Sequence, residues 1–201
     1  MQRPRLVVLA SGGGSNLGAV LAACRCGGLE ADVIAVVSDR AGAGALDRAR
    51  AAGVPRHHLP AAGRERSDYD AELARLVASY SPDWVVLAGW MRILTMSFLA
   101  RFPDRVVNLH PALPGELPGV RAIERAWDEA QSGQRDRTGI MVHLVPDEEV
   151  DAGPVLGTVE VEIRPSDTLD DLATRMHAAE HRLLVDVLRQ LTSPAPTGAQ
   201  P

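Results

Sequence analysis

The chain has 201 residues, an ordinary globular composition and a net charge of −5, with 21 basic residues that are all arginine and no lysine. That length suits one domain whose core needs no disulfide or metal staple. The acidic balance argues against nucleic acid or an anionic membrane as partner, and the missing lysine excludes Schiff-base, pyridoxal-lysine and lysine-loop nucleotide chemistry.

Apolar runs alternate with helical patterns along the whole chain. Residues 6–10 form a continuous apolar run ending at Gly12, Gly13 and Gly14, a buried strand feeding a turn. Residues 16–26 predict a helix with Leu17, Val20 and Leu21 on one face, and residues 32–38 a second strand. An Ala- and Arg-rich helix over 43–52 is stopped by Gly53, followed by a short strand over 56–59 and a helix over 68–80. Residues 84–87 and 105–110 are further apolar strands, and 119–132 is helical. Strands over 138–146 and 154–163 follow; in the second, Val159, Val161 and Ile163 alternate with Glu160 and Glu162, so one face meets water. A long amphipathic helix over 168–191 closes a single domain of residues 1–192, and the Pro-rich stretch 193–201 is expected to be a disordered tail.

This alternation predicts an α/β fold: an open, mostly parallel twisted sheet of about seven strands with helices on both faces, Rossmann-type in its N-terminal half. The late strand pair adds an antiparallel part. Ligands of such sheets bind beyond the carboxyl ends of the strands, where loops 11–16, 89–94 and 110–119 converge. The apolar opening segment reads as a strand rather than a secretory signal, and no apolar run approaches the ~20 residues of a membrane span. Cys24 and Cys26 lack further partners for a zinc site, so they read as free thiols of a cytoplasmic protein, and no metal is expected.

Several groups of residues carry chemistry. Ser11, Gly12, Gly13, Gly14, Ser15 and Asn16 join a strand to a helix, where glycine backbone and a helix N-terminus suit a phosphate, with Ser15 and Asn16 as capping residues. Leu17 stands where a dinucleotide fingerprint needs its third glycine. Asn108 and His110 are two apart on a strand and so share a face, an amide beside an imidazole. An amide stabilises a developing oxyanion and an imidazole carries or orients a proton. Asp151, in a small-residue loop, pairs with His110 and holds its tautomer. Trp90, Met91, Ile93 and Leu94 leave a strand end as an apolar loop suited to a flat ligand. His177, Glu180 and His181 share a helix face as an ion-pairing group.

Taken in order, SGGGSN (11–16), VVLAGWMRIL (85–94), NLHPAL (108–113), TGIMVHLV (138–145) and VDAGPV (150–155) resemble the folate-dependent phosphoribosylglycinamide formyltransferase family over about residues 5–190. The resemblance implies a formyltransferase-like fold, and transfer of a formyl group from 10-formyltetrahydrofolate to the amine of glycinamide ribonucleotide. It implies a catalytic trio of Asn108, His110 and Asp151. Gly14, Ser15 and Asn16 match its phosphate loop, Arg66 an arginine near the phosphate, and Glu180 a glutamate on the ribose. Met91, Arg92, Ile93 and Leu94 match the folate pocket. The partners implied are small molecules, with a monomer or homodimer as the state. The sequence departs from the family after His110-Pro111, where proline arrives one place early at Pro114, and Arg121 stands where histidine is frequent. Rival readings are a formyltransferase acting on a tRNA or an amino sugar, and a non-catalytic nucleotide- or folate-binding module.

Overall fold

A computed structural model describes residues 2–193; of the expected tail only Ser193 lies within them. In chain order the elements are β1 (Arg5–Leu9), α1 (Ser15–Arg25), β2 (Asp32–Ser38), α2 (Gly44–Ala51), β3 (Arg56–His58), α3 (Arg66–Ser79), β4 (Trp84–Leu87), α4 (Met96–Leu99), β5 (Val106–His110), α5 (Ala122–Gln131), β6 (Arg137–Leu144), β7 (Val155–Glu162) and α6 (Leu169–Thr192). The expected elements are present, with ends shifted by a few residues. The four-residue α4 is additional: one helical turn is too short to show a period in sequence.

The strands form one sheet in the order β3-β2-β1-β4-β5-β6-β7. Pairing is parallel from β3 through β5 and antiparallel for β5–β6 and β6–β7. Helices cover both faces, which explains the unbroken apolar run of β1. Its Leu6 and Val8 pack beneath α1, α5 and α6, while Val7 and Leu9 pack beneath α3 and α4. All four are fully buried, each stabilising the fold by roughly 1.5–3 kcal/mol, so the strand carrying the glycine loop is among the most firmly held.

The chain runs outward from β1 to β3, then returns to build the other half from β4. The carboxyl ends of β1 and β4 therefore flank the crevice where such sheets bind ligands. Backbone bonds tie the loops together there, from the Ser11 N–H to the Gly89 carbonyl (3.0 Å) and from the Met91 N–H to the Ser11 hydroxyl (3.0 Å). Helix α6 starts with a capping box in which Thr168 and Asp171 satisfy each other's backbone N–H groups. It then runs across α1, β6 and β7 and brings Glu180 to the crevice.

Candidate active site

Strand β5 delivers Asn108 and His110 to one face of its carboxyl end. Asp151 arrives from the loop between β6 and β7, with left-handed backbone (φ 55°). Its carboxylate is held on both oxygens. Oδ2 accepts from the Gly119 N–H at 2.8 Å and faces His110 Nδ1 at 3.2 Å; Oδ1 accepts from Asn108 Nδ2 at 3.1 Å. The expected trio is thus one connected group.

His143, read in sequence only as part of a strand, is its fourth member. It is the direct cross-strand partner of Asn108, which explains how a residue in an apolar run reaches the group. Its Nδ1 lies 2.8 Å from the Leu144 carbonyl and so carries the proton. Nε2 is then an acceptor, 3.1 Å from Asn108 Nδ2. Both amide hydrogens of Asn108 are therefore used, one on Asp151 and one on His143. The amide orientation follows, since its carbonyl oxygen in place of Nδ2 would face a carboxylate.

Burial holds the His110 ring below the ordinary imidazole value of 6.5, against the upward pull of Asp151 and the Leu117 carbonyl. Both ring nitrogens face acceptors, Asp151 Oδ2 and the Leu117 carbonyl (3.1 Å from Nε2). The neutral ring thus holds one proton between two acceptors. Burial pushes the Asp151 carboxyl up, but the Gly119 N–H and the His110 ring bring it below its ordinary 3.8. At neutral pH the group is a carboxylate beside a neutral imidazole. Leu117 and Arg121 also have left-handed backbone, so Asp151 and two residues of the facing loop are strained, a concentration typical of functional loops.

Next to the trio lies a cleft of about 210 Å³. Met91, Ile93, Val120 and Val150 line it, four of the six large apolar side chains exposed on the described surface. An apolar ligand there removes side chains from water that nothing else covers. All four residues expected to bind folate line this cleft, but their side chains differ in exposure. Met91 and Ile93 open to the cleft, whereas Leu94 is buried in the core and the Arg92 guanidinium stacks over Tyr69 at 4.8 Å.

The glycine loop differs from expectation at its cap. Gly14, not Ser15 or Asn16, is the N-cap of α1, with φ 70° and no side-chain cap bond. A Cβ on Gly14 would lie 2.7 Å from the Ala45 Cα, so only glycine fits between α1 and α2. Ser15 and Asn16 occupy the first turn instead, where helix N–H groups lack intrahelical partners. Asn16 Nδ2 donates to Glu180 Oε2 at 3.1 Å, and His177 Nδ1 lies 3.1 Å from the same oxygen. The expected pair with His177 forms, but Glu180 itself is buried, so only the histidine side of the pair meets solvent. Glu180 raises the His177 pKa, while burial lowers that of His181. Asn16 Oδ1 and His181 Nε2 are buried without a protein partner.

Arg66 stands away from this loop in its contacts. As the first residue of α3 it donates from Nε to the Ile93 carbonyl (3.2 Å) and pairs with Glu148 (3.5 Å). Ile93 lines the apolar cleft, and Glu148 lies between the lining residues Asp147 and Glu149; neither partner belongs to the loop of Gly14, Ser15 and Asn16. Among the described residues, no group of three His, Cys, Asp or Glu is arranged to hold a metal, and no helix is long and apolar enough to cross a membrane.

A three-layer α/β fold with an Asn–His–Asp network at the carboxyl end of β5, one strand from the crevice between β1 and β4, has the make-up of a group-transfer enzyme. The formyl transferase family model matches residues 4–188, and the chain belongs to that family. It is 40% identical to the phosphoribosylglycinamide formyltransferase of Dictyostelium discoideum over 94% of this chain and 98% of that protein. It is 39% identical to the Escherichia coli enzyme of the same name, over 89% and 82%. Among solved structures, glycinamide ribonucleotide transformylase 1 from Symbiobacterium toebii superposes with a TM-score of 0.88 at 38% identity, covering 94% of this chain and 88% of that one.

Proposed function

We propose that the chain transfers a formyl group from 10-formyltetrahydrofolate to the amine of glycinamide ribonucleotide, a step of purine biosynthesis. The observation that carries this reading is the Asn108–His110–Asp151 network lining an apolar cleft whose wall at Gly89 and Met91 is bonded to Ser11 of the glycine loop. The flat pterin suits the cleft lined by Met91 and Ile93, and the backbone of Arg92 and Leu94 continues that wall. Arg66, at the rim beside Ile93, suits an anionic group of the folate better than the substrate phosphate. Gly14, Ser15 and Asn16 suit the phosphate, and Glu180 a ribose hydroxyl.

In the reaction the amine nitrogen bonds to the formyl carbon, and the formyl oxygen gains negative charge. His110 and the Asn108 amide are the donors nearest that charge, Asn108 by releasing one of its two present partners. Collapse of the tetrahedral intermediate breaks the bond from the formyl carbon to N10 of the folate. One proton moves from the attacking nitrogen to N10, and the ionised Asp151 is the base placed to carry it, directly or through water. Reaction with small soluble substrates, beside the free thiols Cys24 and Cys26, fits action in the cytoplasm as a monomer or homodimer.

The test is the absorbance change of a 10-formyl folate analogue with and without glycinamide ribonucleotide. Turnover that needs the ribonucleotide is expected. Deformylation independent of it, or binding without turnover, overturns the reading in favour of another acceptor or a binding module.

A further inference from the structure

We propose that Arg48 is a positioning residue for the phosphate loop, and that selectivity for a phosphorylated amine rests on it; this builds on the reading of the glycine loop as the phosphate cradle. Helix α2 holds that loop through its carbonyls. The Ala45 N–H donates to the Gly12 carbonyl at 3.1 Å, and Arg48 Nε donates to the Gly13 carbonyl at 2.9 Å. Every described peptide bond is trans, and in a planar trans peptide the carbonyl and the following N–H point in opposite directions. Anchoring the carbonyls of Gly12 and Gly13 on α2 therefore turns the N–H groups of Gly13 and Gly14 away from it. The space above Gly12 and Gly13 is open, with no atom within 4 Å of where a Cβ would sit.

Charge adds to geometry. A guanidinium on the Gly13 carbonyl polarises the peptide whose N–H is Gly14's, making that N–H a stronger donor to an anion. Among the described residues Arg48 has no carboxylate within 4 Å, whereas Arg66 is paired with Glu148. In a chain without lysine, that leaves an uncompensated cation directly behind the loop.

A second, independent feature points the same way. Gly18 lies inside α1, where glycine is a poor helix residue. A Cβ there would meet Arg48 Nη1 at 3.1 Å, tighter than ordinary contact. Gly18 is the clearance that lets the Arg48 side chain reach Gly13.

The experiment compares glycinamide ribonucleotide with its dephosphorylated riboside. Arg48→Met is expected to raise KM for the ribonucleotide about tenfold, the scale of one charge-assisted hydrogen bond, with kcat within about twofold and kcat/KM for the riboside unchanged. Arg48→Lys keeps the charge without the Nε donor and falls between. Gly18→Ala keeps Arg48 but displaces it, raising the same KM about twofold while the unfolding midpoint holds or rises. Arg50→Gln, on the same helix and paired only with Asp47, leaves both substrates unchanged. The proposal is overturned if Arg48→Met preserves the ratio of kcat/KM between the two substrates, or lowers kcat equally for both. If the wild-type protein shows no ribonucleotide-dependent turnover, the reaction reading fails instead. Inorganic phosphate then tests Arg48 by NMR: shifts of the Gly13 and Gly14 amides, lost in Arg48→Met, support it, and their absence in the wild type overturns it.

Discussion

Asp151 makes more contacts than its place in a turn suggests. One carboxylate meets a backbone N–H, an imidazole and an amide, and each contact favours the ionised form. Asp151→Asn removes the base and puts a second N–H donor against Gly119 or Asn108. We expect kcat to fall by about 10²–10⁴ while nucleotide binding, read by calorimetry, survives; near-normal turnover would refute the role. At this scale the sequence was legible where polar residues stood out against their surroundings. Asn108 and His110 interrupt a strand end, and Asp151 sits among small residues. His143 was not legible, because a histidine inside a buried strand reads as core until the register sets it opposite Asn108. Arg48 was hidden for a related reason: in an Ala- and Arg-rich helix nothing marks which arginine meets the loop.

Secondary elements aim these side chains, and glycines govern how closely the elements approach. A Cβ on Gly153 would fall 1.9 Å from the Leu144 carbonyl, so the loop carrying Asp151 lies flat on β6 only with glycine there. Gly153→Ala should cost about 1–3 kcal/mol in urea unfolding, and its larger effect should be on kcat, because Asp151 two residues earlier must move with the loop. The cap of α6 offers a contrast. Thr168→Ala should cost about 1 kcal/mol of stability by the same measurement and leave kcat unchanged, since the capping box lies about three helical turns before Glu180. Helix α6 was legible from its long amphipathic period. The start of α3 was not: Arg66 heads the helix two residues earlier than the pattern suggested, and its contacts take it to the apolar cleft.

For the whole molecule, the buried pair at the site links stability to pH. The folded pKa of His110 lies below 6.5, so the unfolded chain takes up that proton more readily and stability falls as pH drops through the imidazole range. Asp151, lowered from 3.8, contributes stability that is present above 3.8 and lost as pH falls through its folded value. Both act in the same direction. From pH 7 to 5 His181 acts with His110 and His177 opposes them, so the test is the difference: His110→Gln should lose less thermal midpoint on acidification than the wild type, and an unchanged slope would contradict the assignment. The layered α/β architecture was legible from strand–helix alternation, since both faces of the parallel strands had to be apolar. Strand order was not, because nothing local says that β4 returns beside β1 rather than beside β3.

The bond from Asn16 to Glu180 joins residues 164 positions apart, the first helix to the last. During synthesis the glycine loop leaves the ribosome early, yet its Asn16 has no Glu180 to meet until α6 is translated and docked. An incomplete chain therefore lacks this bond and, on the proposed reading, the full nucleotide site. On that reading ligand binding stabilises only chains in which α6 has docked, so the substrate itself favours fully folded molecules over partly folded ones.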